Sequence, residues 1–234
     1  MYIFRLAAAG WIVSALAAQS QPDTAAILGK VSQVYSNAKQ YRFAMKKTGE
    51  EAGSLEIAVQ KPNRFRFEAD GRVIDGADDL GKVTMVSDGG SAWNFLAETQ
   101  QYTRKKTTLP LLDTEPPEIT PETFALQADA VFLTRYAEMA KAVEHARLLR
   151  QEIAQGANCF VIELQAPLPG YRDTYTWWVD ARRFVILRED TKPVSSRRPA
   201  SSVVYTFAAI DEPLPENLFH FTPPPGARQV ERLE

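Results

Sequence analysis

A mainly β fold with a minor helical part (α+β) is what this sequence predicts: about eleven antiparallel strands that curl into a barrel or half-barrel, with two helical insertions. Three observations point there. From Tyr41 onward the chain breaks into short runs in which apolar or aromatic residues alternate with polar ones. Turn residues punctuate the runs, as at Gly49 to Gly53, Pro62-Asn63 and Asp88-Gly89-Gly90. Helical periodicity occurs in only two stretches of the mature chain, too few for the crossover helices of a parallel sheet.

The first element is a leader. Arg5 precedes an apolar run, Leu6 to Ala17, that ends in Ala15-Leu16-Ala17. The run is shorter than the ~20 residues of a membrane-spanning helix, and the small residues fit a signal-peptidase site. Residues 1–17 therefore read as a signal peptide cleaved after Ala17, leaving residues 18–234 as a single soluble domain that starts at Ala18. No cysteine stands near the cleavage point to carry a lipid.

Next comes a helix over 24–37. Ile27, Leu28, Val31, Val34 and Tyr35 share one face at helical period, and Asp23 is placed to cap it. Six strands follow, at 41–48, 54–61, 64–69, 82–87, 91–96 and 101–107. Alternation puts Phe65 and Phe67 on one side of the third, with Arg64, Arg66 and Glu68 on the other. The Pro-rich segment 108–121 interrupts the sheet, and Thr120-Pro121 reads as an N-cap with proline at the first helical position. Phe132, Tyr136, Met139 and Val143 then recur at helical spacing, giving a helical insertion over about 121–143. Strands resume at 145–155, 158–166, 173–180, 183–191, 201–210 and 218–222.

Composition removes several function classes. With 27 Lys+Arg against 29 Asp+Glu, the chain has no overall basic footprint for nucleic acid. One cysteine and two histidines cannot assemble a disulfide framework or a Cys/His zinc cluster. Ser36-Asn37-Ala38-Lys39, Lys47-Thr48-Gly49 and Ser87-Asp88-Gly89 superficially match the elements of serine penicillin-recognising enzymes. Their order and the short gap between the first two defeat the match. Asp75, Asp78 and Asp79 lack the closing Glu of a calcium loop, since Val86 stands at the twelfth position. His145 and His220 fall at strand ends without a nucleophile or acid at motif spacing, and Cys159 opens an apolar strand as a small buried hydrophobe. Arg197-Arg198 reads as a solvated loop. The expectation is a protein that is not an enzyme and needs no metal or cofactor.

What remains is aromatic surface: Phe65, Phe67, Trp93, Phe95, Trp177, Trp178, Tyr205 and Phe207. Much of it is core, but a curled sheet of this size has more inner face than one helix can fill, and apolar ligands occupy such concavities.

Three motifs in order carry a family resemblance: Lys61-Pro62-Asn63-Arg64-Phe65-Arg66-Phe67, Val86-Ser87-Asp88-Gly89-Gly90-Ser91-Ala92-Trp93-Asn94-Phe95, and Leu218-Phe219-His220-Phe221-Thr222-Pro223-Pro224-Pro225-Gly226. Together with the opening amphipathic helix, they resemble the periplasmic lipoprotein carrier LolA and its lipoprotein-sorting relatives over residues 24–230. The resemblance implies an antiparallel half-barrel with a helical lid. It implies a cavity for lipoprotein acyl chains, lined here by Ile57, Val59, Phe65, Phe67, Trp93 and Phe95, and a lid face made by Phe132, Tyr136 and Met139. It also implies a periplasmic monomer that takes acylated lipoproteins or lipid from an inner-membrane donor to an outer-membrane acceptor. Where that family has an arginine before the proline of its K-P-N turn, bonded to the lid, this sequence has Lys61, a point charge without the planar fork. If the inner face is fully packed, the same aromatic residues are the core of a periplasmic sensor or structural domain.

Overall fold

The computed structural model describes residues 23–49, 52–71, 81–106, 128–141, 145–165, 173–194 and 199–233. The leader, Asp75 to Asp79, the Pro-rich segment, the first part of the helical insertion and Arg197-Arg198 lie outside the described residues.

Helix α1 (Thr24–Asn37) begins where Asp23 accepts a hydrogen bond from the Ala25 N–H at 3.0 Å. Ile27, Leu28, Val31 and Tyr35 form its buried stripe. A first meander follows: β1 (Gln40–Thr48), β2 (Gly53–Gln60), β3 (Arg64–Gly71), β4 (Val83–Asp88), β5 (Ser91–Leu96) and β6 (Gln101–Lys106). A π-helical turn (Ala130–Thr134) runs into the short helix α2 (Arg135–Lys141). The second meander comprises β7 (His145–Ala154), β8 (Ala157–Gln165), β9 (Thr174–Asp180), β10 (Ile186–Lys192) and β11 (Ser201–Ile210).

The meanders join where β11 pairs antiparallel with β1, so that Phe43 lies opposite both Ile57 and Ala208. With β12 (Arg228–Gln229) at one edge, one twelve-stranded sheet results, in the order β12-β6-β5-β4-β3-β2-β1-β11-β10-β9-β8-β7. Its ends do not pair with each other, so the sheet is an open half-barrel. α1 and α2 pack together against it, and one continuous apolar cluster runs from α1 through the sheet to α2.

The C-terminal segment departs from the expected pattern. Residues 218–222 are not a strand: Glu216–Phe219 is a 3₁₀ turn, followed by extended chain. Pro213, Pro215 and Pro223 to Pro225 have no N–H to give to a ladder, which disfavours a sheet strand here. The segment instead crosses the outer face of β3 and β4, then ends in β12 (Arg228–Gln229), which pairs parallel with β6. That pairing covers part of an otherwise open sheet edge.

Candidate functional site

Directly opposed residues on neighbouring strands share a face, so the register sorts the sheet into two surfaces. Across the first meander one row runs Phe43, Ile57, Phe67, Met85, Asn94 and Thr103. The next runs Tyr41, Val59, Phe65, Ser87, Ala92 and Lys105. These rows belong to the concave face: Tyr41, Phe43, Ile57, Val59, Phe65 and Phe67 are all buried in the cluster that includes α1 and α2. Toward β5 and β6 polar side chains enter these rows at Ser87, Asn94, Thr103 and Lys105, and the wall is less covered, with Met85 and Leu96 only partly buried.

Trp93 and Phe95 are not on this face. Trp93 opposes Val86, which opposes Arg66, and these residues form the outer surface with Phe95, Tyr102 and Arg104. Phe221 sits among Trp93, Phe95 and Tyr102, its ring centroid 6.2, 6.2 and 5.8 Å from theirs. The cavity assignment for these two residues is thereby corrected. They anchor the C-terminal segment through Phe221, and Phe219 in the same segment is fully buried. Arg64 and Arg66 are likewise more than solvated neighbours of the phenylalanines. Arg64 stacks over Phe219 at 4.5 Å and pairs with Glu216, while Arg66 donates to the Leu218 and His220 carbonyls at 3.4 and 3.3 Å. That pairing holds the Glu216 carboxyl below its ordinary value.

The helical face brings Phe132, Tyr136 and Met139 together, all buried. Phe132 lies 6.3 Å from Phe43, and Tyr136 makes an edge contact with Trp177 at 5.6 Å. At the start of this helical segment, Asp129 takes the Lys61 ammonium at 2.9 Å through Oδ2 and the Tyr41 hydroxyl at 2.9 Å through Oδ1. Lys61 Nζ also donates to the Ala38 carbonyl at 3.1 Å, so one side chain ties the end of α1 to the start of the lid segment. Burial pushes the Tyr41 hydroxyl well above its ordinary range, and the Asp129 charge pushes the same way.

A second attachment lies one turn further on. Arg135 Nη2 donates to Glu189 Oε1 at 2.9 Å, and Trp177 Nε1 donates to Glu189 Oε2 at 2.7 Å. Tyr136 and Tyr205 share a buried hydrogen bond of 2.8 Å, and Tyr35 accepts from the Ile186 N–H at 3.0 Å. Burial works against the Arg135 charge, and the adjacent Glu189 carboxylate more than restores it, so the guanidinium stays well above its ordinary pKa. Sequence reasoning missed both members. Glu189 follows Arg188 in what looks like a solvated strand end. The available signal was Arg135, three residues after Phe132 and directly before Tyr136, at the border of the apolar stripe.

The remaining candidates have structural surroundings. His145 and His220 are exposed, and Cys159 is a buried free thiol whose pKa burial raises. A groove of about 400 Å³ lies outside the lid contact, lined by Val34 and Asn37 of α1, Arg183, Ile210 and Glu212 among others. Among the described residues no cluster of His, Cys, Asp or Glu is arranged to hold a metal ion, and no helix is long and apolar enough to cross a membrane.

Several solved structures resemble this one. LprF from Mycobacterium bovis aligns over 89% of this chain and 99% of its own, with a TM-score of 0.53 at 10% identity, and so shares the fold. Lipoprotein LppX from Mycobacterium tuberculosis aligns over 82% and 97% respectively, at TM-score 0.48 and 12% identity. A chain of the Pseudomonas aeruginosa MucA/MucB complex aligns over 86% of this chain at TM-score 0.46 and 12% identity; this chain spans only 62% of it. No curated protein matches the sequence. The architecture is a LolA-like open half-barrel, and with residues 24–233 matching the model for predicted periplasmic proteins (DUF2092), the chain belongs to that family.

Proposed function

We propose that this periplasmic protein binds acyl-chain lipids or acylated lipoproteins between the concave face of its sheet and the helical lid, and carries them toward the outer membrane. It acts by binding, without catalysis or cofactor, as a single domain that follows a cleaved leader. The observation that carries this reading is the continuity of apolar surface from Ile57, Val59, Phe65 and Phe67 to Phe132, Tyr136 and Met139, under a short helical segment.

Membrane anchoring of an acyl chain is worth about 0.8 kcal/mol per CH₂ group. A protein that moves such a chain through water must therefore offer apolar surface of comparable extent. Lifting α2 would supply both halves of it. The Lys61–Asp129 pair is partly exposed, with the lysine side chain 43% accessible, so it contributes at most about 1 kcal/mol to closure.

A second reading has its own observation. Tyr35, Tyr136, Tyr205 and Trp177 fill the space between the helices and the second meander with almost no exposure. If this packing never opens, the protein is a sensor or structural domain of the same fold. Native mass spectrometry of the protein purified from periplasm separates the two: the carrier reading expects bound acyl species, and the packed domain runs at its bare mass.

A further inference from the structure

We infer that Asn94 selects among acyl ligands by their linkage, accepting a hydrogen bond from an amide N–H that an ester does not possess. This rests on the binding reading above and narrows its ligand class to N-acylated compounds.

The position argues for it. Asn94 stands on the concave face, in the row with Phe67 and Met85, and its same-face neighbours along β5 are Ala92 and Leu96. Across the sheet it lies between Met85 of β4 and Thr103 of β6. Its Oδ1 is buried and has no hydrogen-bond partner among the described residues. Leaving a buried acceptor unpaired destabilises the ligand-free fold, and a leucine of similar size would avoid that loss. The other buried unpaired side-chain atom among the described residues, Arg64 Nε, lies on the outer face, where its guanidinium stacks on Phe219. Thr103, directly opposite on β6, does not supply the missing bond, since Asn94 Oδ1 stays unpaired beside it. A buried acceptor discriminates by what it leaves unpaired: an amide N–H satisfies it, whereas an ester offers only further acceptors.

The test displaces a fluorescent fatty-acyl probe with N-methyl lauramide and with methyl laurate, in the parent protein and in Asn94→Leu. The amide-to-ester affinity ratio is expected to be about threefold to tenfold higher in the parent than in the variant, the size of one neutral hydrogen bond. Comparing ratios between proteins cancels the different hydration of the two ligands. An equal ratio in both proteins overturns the assignment while leaving acyl binding intact. Failure of the parent to bind the fluorescent probe at all overturns the binding reading, and this inference with it. Should Asn94→Leu not fold, Asn94→Ala carries the same expected ratio.

Discussion

Asp129 and Lys61 meet in one ion pair but do not contribute equally. Lys61→Ala removes a partly exposed charge and should cost under about 1 kcal/mol of stability. Asp129→Ala also strips the buried Tyr41 hydroxyl of its acceptor, which should add about 1–3 kcal/mol. Urea denaturation of the two variants checks the order, and equal losses would place Tyr41 in contact with water. Glu189 gives the stronger case. Arg135→Met leaves its carboxylate 5% exposed beside an apolar wall, at a cost of about 3 kcal/mol, and adding Glu189→Gln should recover much of the loss. Little of this was legible beforehand. Lys61 stood out by its place before Pro62, but its partner is 68 positions away in sequence, and Glu189 looked solvated because its neighbour Arg188 is a charged residue on the opposite face. Local alternation names the face of a residue relative to its neighbours, and only long-range packing says which face is covered.

Strands and α1 were readable nearly to the residue because each carries its own period and its own turn chemistry. The assignment of Trp93 and Phe95 failed for a different reason. The β4–β5 hairpin has its turn at Gly89-Gly90, which fixes Trp93 opposite Val86. Register between β3 and β4 passes through the long connection 72–82, and one residue of slip there exchanges inside for outside. The proline-rich C-terminal segment was misread as a strand because its Phe219 and Phe221 alternate as strand residues do. It holds by side chains instead of a ladder. Phe219→Ala should cost about 3–5 kcal/mol. Arg64→Ala and Arg66→Ala should raise amide hydrogen exchange over 216–229 while leaving β1 and β2 protected; unchanged exchange there would show that the arginines do not hold this segment.

The tyrosines couple the folded state to pH. Tyr35, Tyr41, Tyr136 and Tyr205 all have pKa values raised above the ordinary 10.0, burial being the first cause in each. The unfolded chain therefore ionises first. Their contribution is fully present below pH 10 and is lost as pH rises from there toward the folded values. Melting temperature should fall steeply above pH 10, and Tyr35→Phe, which removes one such group, should make the fall shallower; an identical slope would show that Tyr35 ionises as readily in the folded protein as in the unfolded chain. The architecture supports a carrier only if the packed interface between sheet and α2 can part. The most direct measurement is titration of the parent and of Phe67→Glu with a fluorescent fatty-acyl probe, with circular dichroism confirming that both are folded. Saturable one-to-one binding by the parent, lost in Phe67→Glu because a carboxylate in that wall costs several kcal/mol to bury, is the predicted result. Absence of saturable binding by the folded parent would contradict it and leave a permanently packed domain.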